Sequence, residues 1–429
     1  PTDPERNVAA VVCATNVARL QHYARALLAE PTAETFFPDA PAPLAPADVR
    51  AHLERRGTTP IAVTFDAPDL VVPTELSLYI LSALVALTGI WLFIAGDKRF
   101  NLGVGLIAFF GIAAFLVWAS RDKSINLTGM LVSSLVRATP IALAALCGIW
   151  SERAGVVNIG IEGMMLSGAF ASVVAASVSG SLFVGVLVGS LIGLLLALLH
   201  AVLSIRFRVD QIISGTGIII LSLGLTSYLQ RAVLNLYPEL NQPGPAIPAL
   251  SIPGVWQIPV LGPLLFNQSP IIYTLVILLA ITHVIMFYTK WGLRIRAVGE
   301  HPKAADTLGI NVFQTRYVSV LISGAIAGLA GAYMSIGAAG RFNEGMTAGK
   351  GFLGLAAMIF GNFNPAGAFF GSLIFGFFDS WQEKLALLQV GVPPDLLGMA
   401  PYLATMIVLA GIVGRARVPA ADGEPYEKQ

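Results

Sequence analysis

The nearly uncharged apolar stretches that recur from Leu76 to Val413 constrain this chain more than anything else in it. A helical span of a bilayer needs about 20 apolar residues, or rather fewer where neighbours shelter its ends. The stretches are Leu76–Ala95, Leu102–Ser120, Leu127–Trp150, Val156–Ser177, Leu182–Ser204, Ile212–Leu229, Ile271–Tyr288, Val318–Gly337, Phe352–Phe360, Ala366–Phe378 and Tyr402–Val413. Phe352–Phe360 is too short to cross alone unless it is extended or re-entrant. Composition agrees: 55% of the residues are hydrophobic and 12% charged, about half the charge share of an ordinary soluble domain. The expected fold is all-α, a polytopic transmembrane bundle of about 10–11 spans with a small N-terminal soluble segment.

Residues 1–70 are different material and read as a soluble appendage. Asn7–Glu30 has the pattern of an amphipathic helix, Phe37–Pro46 is linker-like, Ala47–Arg56 suits a second short helix and Ile61–Phe65 a short strand. Residues 76–120 form a separate pair of spans, 124–417 the main membrane region and 418–429 a cytoplasmic tail. Cys13 and Cys147 make no disulfide framework, no metal-ligand cluster is visible, and a net charge of +1 gives no reason to expect nucleic-acid binding.

Lys and Arg beside spans mark the cytoplasmic side. Arg206, Arg208, Lys290–Arg296 and Arg415–Arg417 therefore belong inside, and the Pro-rich, nearly uncharged excursion Arg231–Pro270 outside. Eleven crossings would put the N-terminal segment outside, ten inside. The densest charge lies in Trp291–Asn311, WGLRIRAVGEHPKAADTLGIN. Pro302 suits the first turn of a short helix running to Leu308, and Gly309 suits its left-handed cap. Such a helix on the inner face is either a docking surface or a solvated loop.

Glu162, in NIGIEGMM, is the one acid between Ala154 and Ile205. It either faces a polar path with Arg137 as partner, or lies near the inner surface at the positive end of a helix. His200 reads as a helix-end residue, and Asp379, Glu383 and Lys384 as a solvated outer rim. The turn NFNPAG (Asn362–Gly367) must be buried in protein or face water if it lies at membrane depth. GMTAGKG (Gly345–Gly351) lacks the spacing of a nucleotide-binding loop, so ATP-driven transport requires a separate ATPase chain. No set of residues suggests catalysis.

SERAGVVNIGIEGMMLSGAF (Ser151–Phe170), GLRIRAVGEHPKAADTLGIN (Gly292–Asn311) and GMTAGKGFLGLAAMIFGNFNPAGAFFGSLIFG (Gly345–Gly376) resemble the ABC-transporter permeases of bacterial nucleoside and simple-sugar uptake. That group is related to the ribose and branched-chain amino acid permeases. The resemblance runs from about Asn126 to Arg417, is loose over Leu76–Ser120 and leaves residues 1–70 uncovered. It implies an ABC importer permease fold in the inner (plasma) membrane, embedded in lipid, with no cofactor. Implied partners are cytoplasmic ABC ATPase subunits, a second permease subunit (identical or related) and an extracytoplasmic substrate-binding protein docking near Arg231–Pro270.

The resemblance also implies that Trp291–Asn311 holds the helix that couples to the ATPase. Its expected residues are Gly299, Glu300, Lys303, Ala304, Ala305 and Gly309, the Ala-Ala pair before a glycine matching the family pattern. His301 stands where many relatives have asparagine, a better N-cap. Asn158, Glu162 and Asn362 are candidates for lining the substrate path. The alternative is an ion-coupled secondary transporter, for which Glu162 alone qualifies as the ion-binding acid.

Overall fold

The computed structural model describes residues 74–95, 100–119, 126–244, 247–387, 399 and 417–428. The expected elements within residues 1–70 and the expected last span Tyr402–Val413 lie outside the described residues. The described elements are helices α1 (Thr74–Ala95), α2 (Phe100–Ala119), α3 (Leu127–Glu152), α4 (Ile161–Ser179), α5 (Leu182–Ala201) and α6 (Gln211–Leu229). They continue with α7 (Pro270–Tyr288), α8 (Lys290–Glu300), α9 (Pro302–Thr307), α10 (Val312–Ala332), α11 (Lys350–Phe360) and α12 (Pro365–Leu387). Seven of these, some with their extensions, are long and apolar enough to cross a membrane. Between α6 and α7, Leu250–Ser251 and Asn267–Gln268 pair as a two-residue antiparallel ladder.

Polar side chains start the helices where the chain leaves the apolar layer. Asn126, Asp210, Thr289 and Asn311 each accept from a backbone N–H in the first turn of α3, α6, α8 and α10. These amides have no partner inside the helix, so each cap satisfies a group that lipid cannot. Three helices end in wider π turns, Val202–Arg206 after α5, Gln230–Leu234 after α6 and Tyr333–Ala339 after α10.

Helices α3, α4 and α10 form the centre. In their most apolar windows 72%, 61% and 78% of residues are buried, against 22–28% for α5, α6 and α7, whose outer faces carry Leu, Ile and Phe. Glycine makes this packing possible. A Cβ on Gly193 of α5 would collide with the Gly324 carbonyl of α10 and with Gly328. Backbones approach this closely where the contact, not hydrophobicity, drives association in lipid. The small-residue run Gly324–Gly340 thus serves the compact packing its composition suggests.

The basic ends of α5 (Arg206), α8 (Lys290, Arg294) and the tail (Arg417) lie at one end of the bundle, the cytoplasmic end by the positive-inside rule. From there the helices alternate in direction, α3 running inward and α12 outward against it. Residues 341–349 return from the outer side, and α11 then runs inward beside α3, with Gly354 against Ala144 and Gly148 against Met358. Eleven residues rise about 16 Å, roughly half the hydrocarbon layer. Phe352–Phe360 is therefore the short half-span its length requires, completed by a loop.

Two helix starts differ from expectation. α4 begins at Ile161, not Val156, because Val156–Gly160 is extended and turned. α10 begins at Val312, six residues before the apolar run, and takes Arg316 inside the helix. A hydropathy boundary excludes a charge that the folded protein buries.

Candidate functional site

At the cytoplasmic end, α8 is amphipathic. Gly292, Ile295, Val298 and Gly299 face inward, while Lys290, Leu293, Arg294 and Glu300 face out. Gly299 lies against the Arg153 carbonyl, where a Cβ has no room. A sharp corner follows, and α9 projects from it. His301 itself caps α9, its Nδ1 accepting from the Ala304 N–H at 3.3 Å, so the missing asparagine does not leave the helix start uncapped. At the other end Gly309 takes φ +79°, and the N–H groups of Gly309 and Ile310 donate to the Asp306 and Ala305 carbonyls. A left-handed residue is nearly strain-free only as glycine.

The two alanines of α9 are not equivalent. Ala304 is exposed together with Lys303, Thr307 and Leu308, whose side chain is 82% exposed at the tip. Ala305 is buried among Val298, Val312 and Tyr426. The outward face of α9 is thus Lys303–Ala304–Thr307–Leu308, and Ala305 seats the helix on the protein.

The C-terminal tail supplies part of that seat, which sequence reasoning missed. Tyr426 covers Ala305 and packs on Phe313, Ala421 N–H donates to the Gly299 carbonyl, and Ala420 N–H donates to Glu300. Lys428 approaches Asp306 at 3.9 Å, and Arg208 pairs with Glu427. Above the tail, Arg316 is 2% exposed and donates Nη1 to the Glu424 carbonyl. Asp422 bonds the buried Glu152 carboxyl; burial pushes the Asp422 carboxyl up to about 7, with Arg316 opposing the rise. An apolar tyrosine and proline within a charged tail were the available signals.

Arg153 ties the inner ends of α3 and α12 together. Its guanidinium donates to the Asn362 and Phe363 carbonyls and lies over the Phe287 and Phe363 rings. Asn362 and Phe363 both take left-handed backbone, φ +53° and +55°, at a cost of about 1–2 kcal/mol each. Asn362 is exposed at this cytoplasmic turn, and its Oδ1 accepts from the tail's Arg417 N–H.

Deeper in the bundle, the extended segment before α4 has its backbone satisfied by side chains. Val157 N–H donates to Gln211, and the Val157 carbonyl meets His200 Nε2 at 3.0 Å. His200 lies in the last turn of α5, the helix-end position expected of it; it is fully buried and also meets Ser214, so it is a structural partner of this break. Asn158 is fully buried, its amide donating to Ser323 while its Oδ1 has no partner among the described residues.

Glu162 opens α4 and accepts from the N–H groups of Gly349 (2.8 Å) and Gly351 (2.6 Å) at the start of α11. One carboxylate thus joins two helix N-termini, whose dipoles favour negative charge. Arg137 is not its partner. It pairs instead with Asp379 at 3.1 Å and with Glu383, which makes those acids members of a half-buried ion cluster and not a solvated rim. The three path candidates do not converge, since Asn158, Glu162 and Asn362 each bond elsewhere. No group of three or more His, Cys, Asp or Glu among the described residues is placed to hold a metal ion.

Residues 130–413 match the family described as the permease component of branched-chain amino acid transport systems. The chain is 41% identical to the guanosine ABC transporter permease protein NupQ of Bacillus subtilis, over 69% of this chain and 95% of that one. It is 39% identical to the nucleoside ABC transporter permease protein NupC of Lactococcus lactis, over 70% and 96%. A putative glucose ABC transporter permease protein, TsgC13 of Haloferax volcanii, is 31% identical over 70% and 98%. Separately, 71 residues, 17% of the chain, are 69% identical to the CCA-adding enzyme of Halorubrum lacusprofundi and cover 15% of that enzyme. No solved structure matches.

Proposed function

The chain belongs to the permease family of branched-chain amino acid transport systems and is the permease subunit of an ABC importer, and we propose that its cargo is a nucleoside. The observation that carries this is 41% identity over 95% of a guanosine permease, against 31% for a putative glucose permease. We assign the similarity to CCA-adding enzymes to the N-terminal segment, residues 1 to about 71. At 15% of that enzyme's length it supports no claim to its activity.

In this reading, the chain sits in the plasma membrane, and α8 and α9 form its contact with a cytoplasmic ATPase. Leu308 and the Lys303–Ala304–Thr307 face enter a groove on the ATPase, while Ala305, Gly299 and the tail keep α9 rigid against α10. Closure of two ATPase subunits on ATP then moves α9 and, through α8, the inner ends of α3 and α10. The Arg231–Pro270 excursion receives the binding protein, and a second permease subunit completes the path. Cargo shifts the equilibrium only through contacts that differ between the two states. Glu162 has a structural use for its charge, which argues against the ion-coupled alternative.

The test is uptake of labelled guanosine into vesicles carrying the chain with its ATPase and binding protein. Expected is uptake that requires ATP and persists when the proton and sodium gradients are collapsed. Uptake driven by a gradient without any ATPase would sink the proposal, and glucose uptake without guanosine uptake would move the cargo to sugars.

A further inference from the structure

Arg137 stands about 15 Å from the outer end of α3, a helix about 39 Å long, and so lies within a hydrocarbon layer about 30 Å thick. Its partners on α12 sit at the same depth, and Lys350 opens the half-span α11 nearby. The side chains of Arg137, Asp379 and Glu383 are 29%, 25% and 51% exposed. Charges that are partly uncovered at this depth do not face lipid; they face water, a ligand or another subunit.

What Arg137 and Glu383 face is a cleft of about 310 Å³. Ser133, Val136, Arg137, Tyr333, Lys350 and Glu383 line it. That volume is at the lower end of small-ligand sites. One wall is the π turn Tyr333–Ala339, where α10 loses its regular ladder and Tyr333 donates its hydroxyl to the Val136 carbonyl at 3.2 Å. Such turns inside long helices often mark functional sites. The opposite wall is held by Glu162, which fixes the start of α11 and with it Lys350.

We infer that this cleft is the membrane-embedded site for the cargo, and that it takes a neutral, hydroxyl-bearing ligand of the nucleoside class. Arg137, Lys350 and Glu383 line the cleft, and Asp379, outside the lining, neutralises Arg137 from behind at 3.1 Å, so the cleft offers donors and an acceptor without a strong net pull on phosphate. Val136 and Met334 add an apolar surface for a base. Among the described residues no carboxylate lies within ion-pair distance of the Lys350 ammonium, which leaves it as a donor to the ligand. The inference rests on the proposed nucleoside cargo.

The experiment places a single cysteine at Ser133 in a chain with Cys13→Ser and Cys147→Ala, assembled with its ATPase and binding protein in intact cells. A membrane-impermeant thiol reagent is applied outside, and Ser251→Cys in the exposed outer ladder serves as the accessible control. Expected is labelling of both, with guanosine slowing only the Ser133 site and guanosine monophosphate slowing neither. In parallel, Glu383→Gln should raise the half-saturating guanosine concentration about tenfold, the loss of about one hydrogen bond to ligand, with ATPase co-purification unchanged.

An unlabelled Ser133 site beside a labelled control overturns the inference, because the cleft is then covered by lipid or a second subunit. Labelling that guanosine does not slow, in cells that still take up guanosine, overturns it as well. Equal protection by the monophosphate overturns the neutral class. Absence of all guanosine uptake instead overturns the proposed cargo, and the ligand of the cleft with it.

Discussion

At the scale of single residues, Glu162 and Asp422 are two carboxyls kept in the protein for opposite reasons. Glu162 accepts two backbone N–H groups at membrane depth, where nothing else can satisfy them. Glu162→Ala should therefore lower stability by about 2–6 kcal/mol, from about 1–3 kcal/mol for each of the two orphaned donors, read as a lower melting temperature in detergent. Glu162→Gln, which keeps one acceptor, should lose about half of that and retain uptake. Abolished uptake at unchanged stability would instead revive an ion-binding role. Burial in the docked tail beside Glu152 favours the protonated form of Asp422, with the Arg316 charge of α10 opposing it. Its docked pKa is raised from about 4 to about 7, so its contribution to docking is complete below about pH 4 and lost as pH rises through about 7. Proteolysis near Arg417 should accelerate across that window, and Asp422→Asn should flatten the profile.

At the scale of elements, α9 is a six-residue helix that propensity alone does not sustain, since isolated helices under about 12 residues are marginal in water. It persists because His301 caps one end, Gly309 the other, and Ala305 locks into Val298, Val312 and Tyr426. Its two faces can be separated experimentally. Ala304→Glu should abolish ATPase co-purification with the tail still protected from proteolysis. Ala305→Glu buries a charge under the helix, so it should lose both. Loss of tail protection in Ala304→Glu would show that the two faces are not independent.

Much of this element was legible in sequence. Pro302 marks its start because the missing N–H is not needed in the first turn and φ is already helical, and Gly309 marks its end because only glycine takes the left-handed cap without strain. The inward turn of Ala305 was not legible, because its cover comes from Tyr426, 121 positions away in the chain.

At the scale of the whole molecule, α3, α4 and α10 are shared partners for nearly every other helix of the core, and glycine contacts set their spacing. Gly193→Leu should push α5 off α10 and destabilise the bundle by about 1–3 kcal/mol or block assembly, measured by size-exclusion behaviour and melting temperature. Gly217→Leu on α6, where nothing lies within 4 Å of the added carbon, should be tolerated. If both substitutions behave alike, helix propensity and not close approach is responsible. Membership in the ABC permease family agrees with this architecture, since the matched residues 130–413 contain the core from the first turn of α3 onward.

The sequence by itself determined the class of structure, the direction of most spans and the existence of a short cytoplasmic helix. Hydropathy, positive loops and Pro/Gly punctuation act locally, and lipid leaves a backbone little choice but to hydrogen-bond within its own helix. Tertiary structure alone decided where the charges go. Arg137 could pair with Glu162 or with Asp379 and Glu383 by any reading of spacing, and only the antiparallel packing of α3 on α12 chooses. The same packing brings α11 against α4, which turns Glu162 from a candidate ion site into a joint between two helix ends. Partner choice for a buried charge depends on which backbones are neighbours, and that is a property of the folded bundle.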